Sequence, residues 1–240
     1  MNKQSELRKM SYLTLRNIKL YFKDKMTFLV SLITPLILLV LFIAFLKSTY
    51  EDSILSIIQG FDLDQSLIDA LTGGWLFSSV LATSCITIAF CSGMMVIDKI
   101  NRANIDFMVS PVKKSTLQLS YVLANLFSTF IITFVLLIVG LIYLACVGFY
   151  ITFVDILLIV FGIIITSLFG TILANIIWTF THSQGVVSGV CTLVSALYGF
   201  ICGAYMPIRT MGQGMQYFVS LLPGTYATVL FRQGFLNSVL

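Results

Sequence analysis

The chain has 240 residues, 58% of them hydrophobic and only 10% charged, with a mean hydropathy of +1.01. A soluble domain is roughly 25% charged, so this composition excludes a soluble enzyme and a soluble binding module. Fourteen Lys and Arg against ten Asp and Glu leave a formal charge of +4, which in so apolar a chain points to charge asymmetry across a membrane rather than to nucleic acid.

Residues 1–25 open the chain with seven cations: Lys3, Arg8, Lys9, Arg16, Lys19, Lys23 and Lys25. Leu7, Met10, Thr14 and Ile18 recur among them at helical spacing, which predicts a helix lying on the cytoplasmic membrane interface against anionic lipid. The basic lead and the apolar run after it are both too long for a cleavable signal peptide.

Residues 26–240 read as one transmembrane domain. About 20 uncharged residues cross the ~30 Å hydrocarbon core as a helix, and five stretches qualify: 26–46, 74–97, 121–147, 156–180 and 186–205. The fold class is therefore an all-α polytopic membrane protein. Eleven of the 14 cations precede span one or lie in the loop 98–116. By the positive-inside rule the N-terminus and that loop are cytoplasmic. The loop from Lys47 to Gly73 carries Glu51, Asp52, Asp62, Asp64 and Asp69 and is assigned to the outside, with short helical pieces in it. Asp155, at the outer end of span four, is expected to face water.

Within the spans, Pro35 should kink span one by removing a backbone donor. Ser79, Thr83 and Thr87 form a hydroxyl stripe along span two, beside Ser84. The stripe either lines a substrate path or bonds back to its own helix or to a neighbour. Asn175 reads as a helix–helix hydrogen bond. In span five, Gly185, Gly189, Thr192, Ala196, Gly199 and Gly203 put small residues on one helical face. Lipid supplies no hydrophobic drive between helices, so such a face marks close packing on another helix, of this chain or of a second copy.

Chemistry is sparse. The single histidine, His182, lies in a turn with no Cys cluster or carboxylate nearby and reads as a capping or interfacial residue. No metal site, catalytic set or phosphate-cradling G-x-x-x-x-G-K-[ST] loop is present. Cys85, Cys91, Cys146, Cys191 and Cys202 show no metal or redox spacing and are expected to be free thiols. Ionisable groups mid-membrane, common in ion-coupled transporters, are missing from the spans. Energy for transport would then come from another subunit.

The loop 98–116 is the most informative segment. It runs Asp98-Lys99-Ile100-Asn101-Arg102-Ala103-Asn104-Ile105-Asp106-Phe107-Met108-Val109-Ser110-Pro111 and on to Lys113-Lys114. Ile100, Ala103, Phe107 and Met108 predict a short amphipathic helix that docks a partner protein or lies on lipid. After span five, residues 206–240 hold apolar pieces too short to span, punctuated by Pro207 and Pro223, and predict an outer re-entrant hairpin.

In this order the parts resemble the membrane subunits of type-2 ABC exporters. The resemblance rests on Asp98-Lys99, Asn104, Asp106-Phe107-Met108, Ser110-Pro111 and Lys113-Lys114. It rests also on Gly203 to Ile208, Pro223 and Phe231-Arg232. It implies a coupling surface of Asp98, Arg102, Asp106, Phe107, Met108 and Pro111. It implies a re-entrant segment keyed by Gly203, Pro207, Pro223 and Arg232, and a sixth span that the 240 residues do not hold. The implied protein is a non-enzymatic permease in the plasma membrane. A second permease copy or paralogue would complete the substrate path, and a separate ATP-binding cassette subunit would carry ATP and Mg. Its cargo would be drug-, peptide- or lipid-like. The alternatives are an antibiotic or peptide immunity or sensing subunit of the same build, and a non-transporting membrane scaffold.

Overall fold

The structure, a computed structural model, describes residues 3–41, 65–110, 112–147, 151–204, 208 and 211–237. Among them every regular element is a helix. Four helices are long and apolar enough to cross a membrane, and a bent pair at the N-terminal end makes a fifth candidate.

The first helix, α1 (Lys3–Lys23), is the expected N-terminal helix, and it continues through a 73° bend into α2 (Lys25–Leu41). Asp24 sits in the bend and caps α2: its carboxylate accepts from the Thr27 amide at 3.3 Å and the Thr27 hydroxyl at 2.7 Å, satisfying donors that a helix start leaves open. Of the stripe read from the sequence, α1 buries only Thr14, and Met10 and Ile18 are half-buried. Thr14, Asn17 and Tyr21 are buried, while Leu7 is 55% exposed. The buried trio lies three and four residues apart, which is one helical face. The helix α2 runs on through Pro35, whose ring is buried. Residues 42–46 of the expected first span, and the acidic loop as far as Asp64, lie outside the described residues.

The second span is α3 (Gln65–Cys91), which begins well before the expected Gly74 and takes Asp69 into its first turns. Gly73 and Gly74 are packing points rather than a helix start: a Cβ on Gly73 would lie 2.8 Å from the Tyr143 ring, and one on Gly74 3.0 Å from Leu236. After a break at Ser92-Gly93 the chain continues as α4 (Met94–Ile100) and α5 (Ala103–Val109). The third span, α6 (Lys114–Val147), is 34 residues long, about 51 Å at 1.5 Å per residue. That exceeds the hydrocarbon core by some 20 Å. Helix α1 packs along it. Then come α7 (Phe153–Phe180), α8 (Gln184–Ile201), α9 (Gln213–Ser220) and α10 (Pro223–Leu236).

The centre of the bundle is α3. Helices α2, α6, α7, α8 and α10 all pack on it, and 89% of the most apolar window of Leu67–Ile100 is buried, against 17% for α8. The main core joins Val80, Leu81 and Cys85 of α3 to Ile159 and Ile163 of α7 and to Phe231 and Phe235 of α10. Glycines let the helices close up: at Gly162 a Cβ would meet Phe231 at 3.0 Å, and at Gly170 the Cys85 carbonyl at 3.2 Å.

Two expectations are corrected here. Asp155 does not face water; it is 3% exposed. It closes a capping box with Thr152, whose amide it receives at 3.0 Å, and it accepts from Asn237 at 3.2 Å. Satisfying open donors at the start of α7 outweighs its desolvation. Nor are all five cysteines free: Cys91 and Cys191 are bonded sulfur to sulfur, with Cα atoms 5.5 Å apart, while Cys85, Cys146 and Cys202 remain thiols. A sequence separation of 100 residues hides a pairing that only helix packing creates.

Candidate functional site

Asp98 and Lys99 sit where α4 leaves the bundle, and each reaches a different neighbour. Asp98 is 5% exposed. It accepts two hydrogen bonds from the Arg16 guanidinium, at 2.7 and 3.1 Å, and one from the Tyr121 hydroxyl at 2.6 Å. Burying a carboxylate is costly unless it is paired and its lone pairs are filled; the bidentate fork and the phenol meet that condition. Arg16 also donates to Asn17 Oδ1 at 2.8 Å and lies 5.2 Å from the centre of the Phe107 ring. One side chain on α1 thus holds both α4 and α5.

Lys99 points the other way. Its ammonium donates to the carbonyls of Trp178, Thr179 and Thr181 at 2.9, 2.8 and 3.1 Å. These carbonyls lie at the C-terminal end of α7, where a cation is favoured by the helix dipole. Gln118 of α6 adds a bond to the Thr179 hydroxyl at 3.3 Å. At the start of α1, Glu6 accepts from Thr116 at 3.0 Å and pairs with Lys9 at 3.3 Å. The Thr116 bond, more than the nearby cations, holds the Glu6 carboxyl below its ordinary range. The dipeptide Asp98-Lys99 therefore ties α4 to α1, α6 and α7 at one corner, and Arg16 carries the tie on to Phe107 of α5.

Beyond this corner α5 faces outward. Arg102 takes the left-handed conformation, φ 59° and ψ 9°, which turns the chain between α4 and α5. For a residue with a Cβ that conformation costs roughly 1–2 kcal/mol. Arg102, Asp106, Ile105 and Val109 are exposed, Val109 by 83%. The Ser110 hydroxyl donates to the Phe107 carbonyl at 2.8 Å and ends the helix. Of the six residues in the implied coupling surface, Asp98 and Phe107 thus face the bundle, and Arg102 and Asp106 face out. Pro111 and the side chain of Met108 lie outside the described residues, as does the Asn104 side chain.

The segment expected to be re-entrant forms a second clasp, at the other end of α8. Helix α8 stops at Ile201 in a left-handed glycine, Gly203, φ 70°. The Gly203 and Ala204 amides bond back to the Phe200 and Gly199 carbonyls at 3.1 and 2.9 Å, the Schellman pattern. Gly203 therefore ends the helix rather than extending the small-residue face. Arg232 donates to the Gly203 carbonyl at 2.6 Å and stacks 4.0 Å above the Trp75 ring of α3. Pro223 starts α10, where a missing amide costs nothing. The structure thus brings Gly203 and Arg232 into contact; Pro207 lies outside the described residues.

The hydroxyl stripe is buried. Thr83 bonds to the Ser79 and Val80 carbonyls of its own helix at 2.9 and 3.1 Å, while Ser79, Ser84 and Thr87 hydroxyls have no protein partner. Asn175 bonds to Thr171 of its own helix at 2.7 Å rather than across helices. On α8, Gly185, Gly189, Thr192 and Ala196 are exposed, and nothing lies within 4 Å of a Cβ on Gly189; Gly199 is buried. Beside this face, Val30, Ile33 and Ile37 of α2 and Cys191, Ser195 and Ala196 of α8 line an apolar groove of about 330 Å³. His182 hangs on the exposed end of α7 with Nδ1 3.1 Å from the Phe180 carbonyl.

Sequence reasoning missed Arg16, Tyr121 and the direction of Lys99. One signal was available: an acid at the end of an apolar span, among cations, has to be paired to be buried.

Comparison with curated proteins and with solved structures gives no significant match. The family model for ABC-2 type transporter membrane proteins matches residues 8–236, nearly the whole chain and every element from α1 to α10. The chain therefore belongs to the ABC-2 type transporter family and is a multi-pass transmembrane permease subunit.

Proposed function

We propose that the chain is the membrane half of an ATP-driven exporter, paired with a second permease copy or paralogue and driven by separate ATP-binding cassette subunits that hold ATP and Mg. The observation that carries this reading is the Asp98-Lys99 corner. Helix α5 presents Ile105, Asp106 and Val109 outward, and its base is tied by Arg16, Tyr121 and the end of α7. A docked ATPase pushing on α5 would move α1 and the ends of spans two, three and four together, because each is bonded to the same dipeptide. Motion at one end of a bundle reaches the other only through such packed, discrete contacts.

The bare face of α8 supports pairing with a second copy: exposed small residues in lipid are suited to close helix approach. The apolar groove beside it supports cargo that enters from the membrane, drug-, peptide- or lipid-like. The positive-inside rule supports a cytoplasmic N-terminus in a plasma membrane.

The test is co-purification with the ATP-binding subunit and its ATPase stimulation. Ile105→Ala/Val109→Ala should weaken both by about tenfold or more, as removal of central interface anchors does. Phe107→Ala/Met108→Ala should weaken both as well, Phe107 through loss of the Arg16 contact. Full binding and stimulation by both double variants would refute the docking surface. Cysteines placed at Gly189 or Ala196 in a cysteine-free background should crosslink two copies, and crosslinks confined to one chain would refute the pairing.

A further inference from the structure

We infer that Cys91 and Cys191 are a reversible redox modification site that clamps the break in the second span to the fifth. Their Cα separation of 5.5 Å lies at the centre of the range a disulfide accepts. The position is specific. Cys91 is the last residue of α3, and Ser92-Gly93 breaks the helix before α4 begins. Two residues on, Gly93 meets Val187, where a Cβ would lie 2.7 Å from the valine methyl. Val187 and Cys191 are one turn apart on α8 and both buried. Helix α8 therefore grips the break at two successive points, one by packing and one by sulfur.

The break is the joint on which Asp98 and Lys99 ride. A covalent link at Cys91 fixes the bundle side of the break to α8, keeps the Gly93–Val187 contact closed and so limits how far α4 and α5 can swing away from α8. This consequence rests on the proposed coupling role of α5. Cys191 lines the groove between α2 and α8. A small uncharged oxidant, a hydroperoxide, could enter there from the membrane.

The chemistry balances with that oxidant. The Cys191 thiolate attacks a peroxide oxygen, forming a sulfenic acid and releasing hydroxide, which the thiol proton converts to water. The Cys91 sulfur displaces the sulfenic hydroxyl, which leaves as a second water, and the S–S bond forms. Two thiols are oxidised and one hydrogen peroxide is reduced to two waters. A small dithiol reverses the bond by thiol–disulfide exchange and is itself oxidised to a disulfide.

The experiment uses the full chain in its native membrane complex, treated with hydrogen peroxide or with dithiothreitol and then blocked with N-ethylmaleimide. Peptide mapping without reduction should find residues 91 and 191 linked after peroxide and separate after dithiothreitol, with no link in Cys91→Ser. Hydrogen exchange across residues 92–109 should slow by about tenfold on oxidation in the wild type and not in Cys191→Ser. A peroxide-treated wild type without the 91–191 link overturns the site, and a link with unchanged exchange overturns the clamp. Both readouts are independent of ATPase activity. Failure of the reduced wild-type chain to engage an ATP-binding subunit would instead count against the transport reading.

Discussion

Helices α3 and α8 are both apolar, both carry small polar residues along one face, and lie in contact, yet they solve opposite problems. Helix α3 turns its hydroxyls inward and is gripped by five helices, with 89% of the most apolar window of Leu67–Ile100 buried. Helix α8 leaves Gly185, Gly189, Thr192 and Ala196 bare, with 17% buried. In a membrane, apolarity does not say which side faces protein, because lipid tails are as apolar as leucine. What separates the two is close backbone approach: α3 has Gly73 and Gly74 filled by Tyr143 and Leu236 and meets Gly170 of α7, whereas Gly189 of α8 meets nothing.

The sharpest break of the α3 side is at its α4 extension. Arg16→Met should cost about 3 kcal/mol of stability by leaving Asp98 buried without its cation. Asp98→Asn should cost less, since Arg16 is about a third exposed and can reach water. Thermal unfolding in detergent ranks the two, and the reverse order would contradict the assignment of Asp98 as the buried partner. Gly170→Leu should follow at about 2 kcal/mol, because the added atoms meet the Cys85 backbone carbonyl, which cannot swing away. The same change at the other pole, Gly189→Leu, should alter folding stability by no more than about 0.5 kcal/mol. It should nonetheless abolish crosslinking between copies. If it destabilises the single chain as Gly170→Leu does, the contrast between the two helices fails.

Smaller effects sharpen the same contrast. Thr87→Val should be neutral within about 1 kcal/mol, since its hydroxyl has no protein partner to lose. Normal stability with lost transport would make Thr87 part of a substrate path, and normal transport would leave it as packing. The smallest effect is at Glu6. The Thr116 bond lowers its folded-state pKa, so the contact stabilises above the ordinary glutamate value of 4.5 and fades as pH falls through and below it. Hydrogen exchange in the first turns of α1 should rise over that window in the wild type, and Glu6→Gln should flatten the response.

The all-helical membrane build, the N-terminal helix and the short helix at 103–109 were legible in the chain, because each is a property of consecutive residues. The start of α3 was not: Gly73 and Gly74 look like breakers, but Tyr143 and Leu236 pack against them inside a continuous helix. Nor was Asp155, whose capping partner Thr152 is close in sequence but whose burial depends on α10. Asp98 and Phe107 were legible as members of the coupling loop, yet not as inward-facing, since nothing in residues 98–116 reveals that Arg16 reaches both.

Sequence alone determined that this is a helical membrane protein with a cation-rich loop between its second and third spans, and which family it resembles. Hydropathy and charge act locally: a helix rises a fixed distance per residue, so length and polarity decide what crosses a bilayer. Tertiary structure decided that Asp98-Lys99 is a four-helix corner, that Cys91 meets Cys191, and that α8 keeps a bare face. Those are pairings between residues up to 100 positions apart, formed only once close packing of helices brings specific atoms within bonding distance.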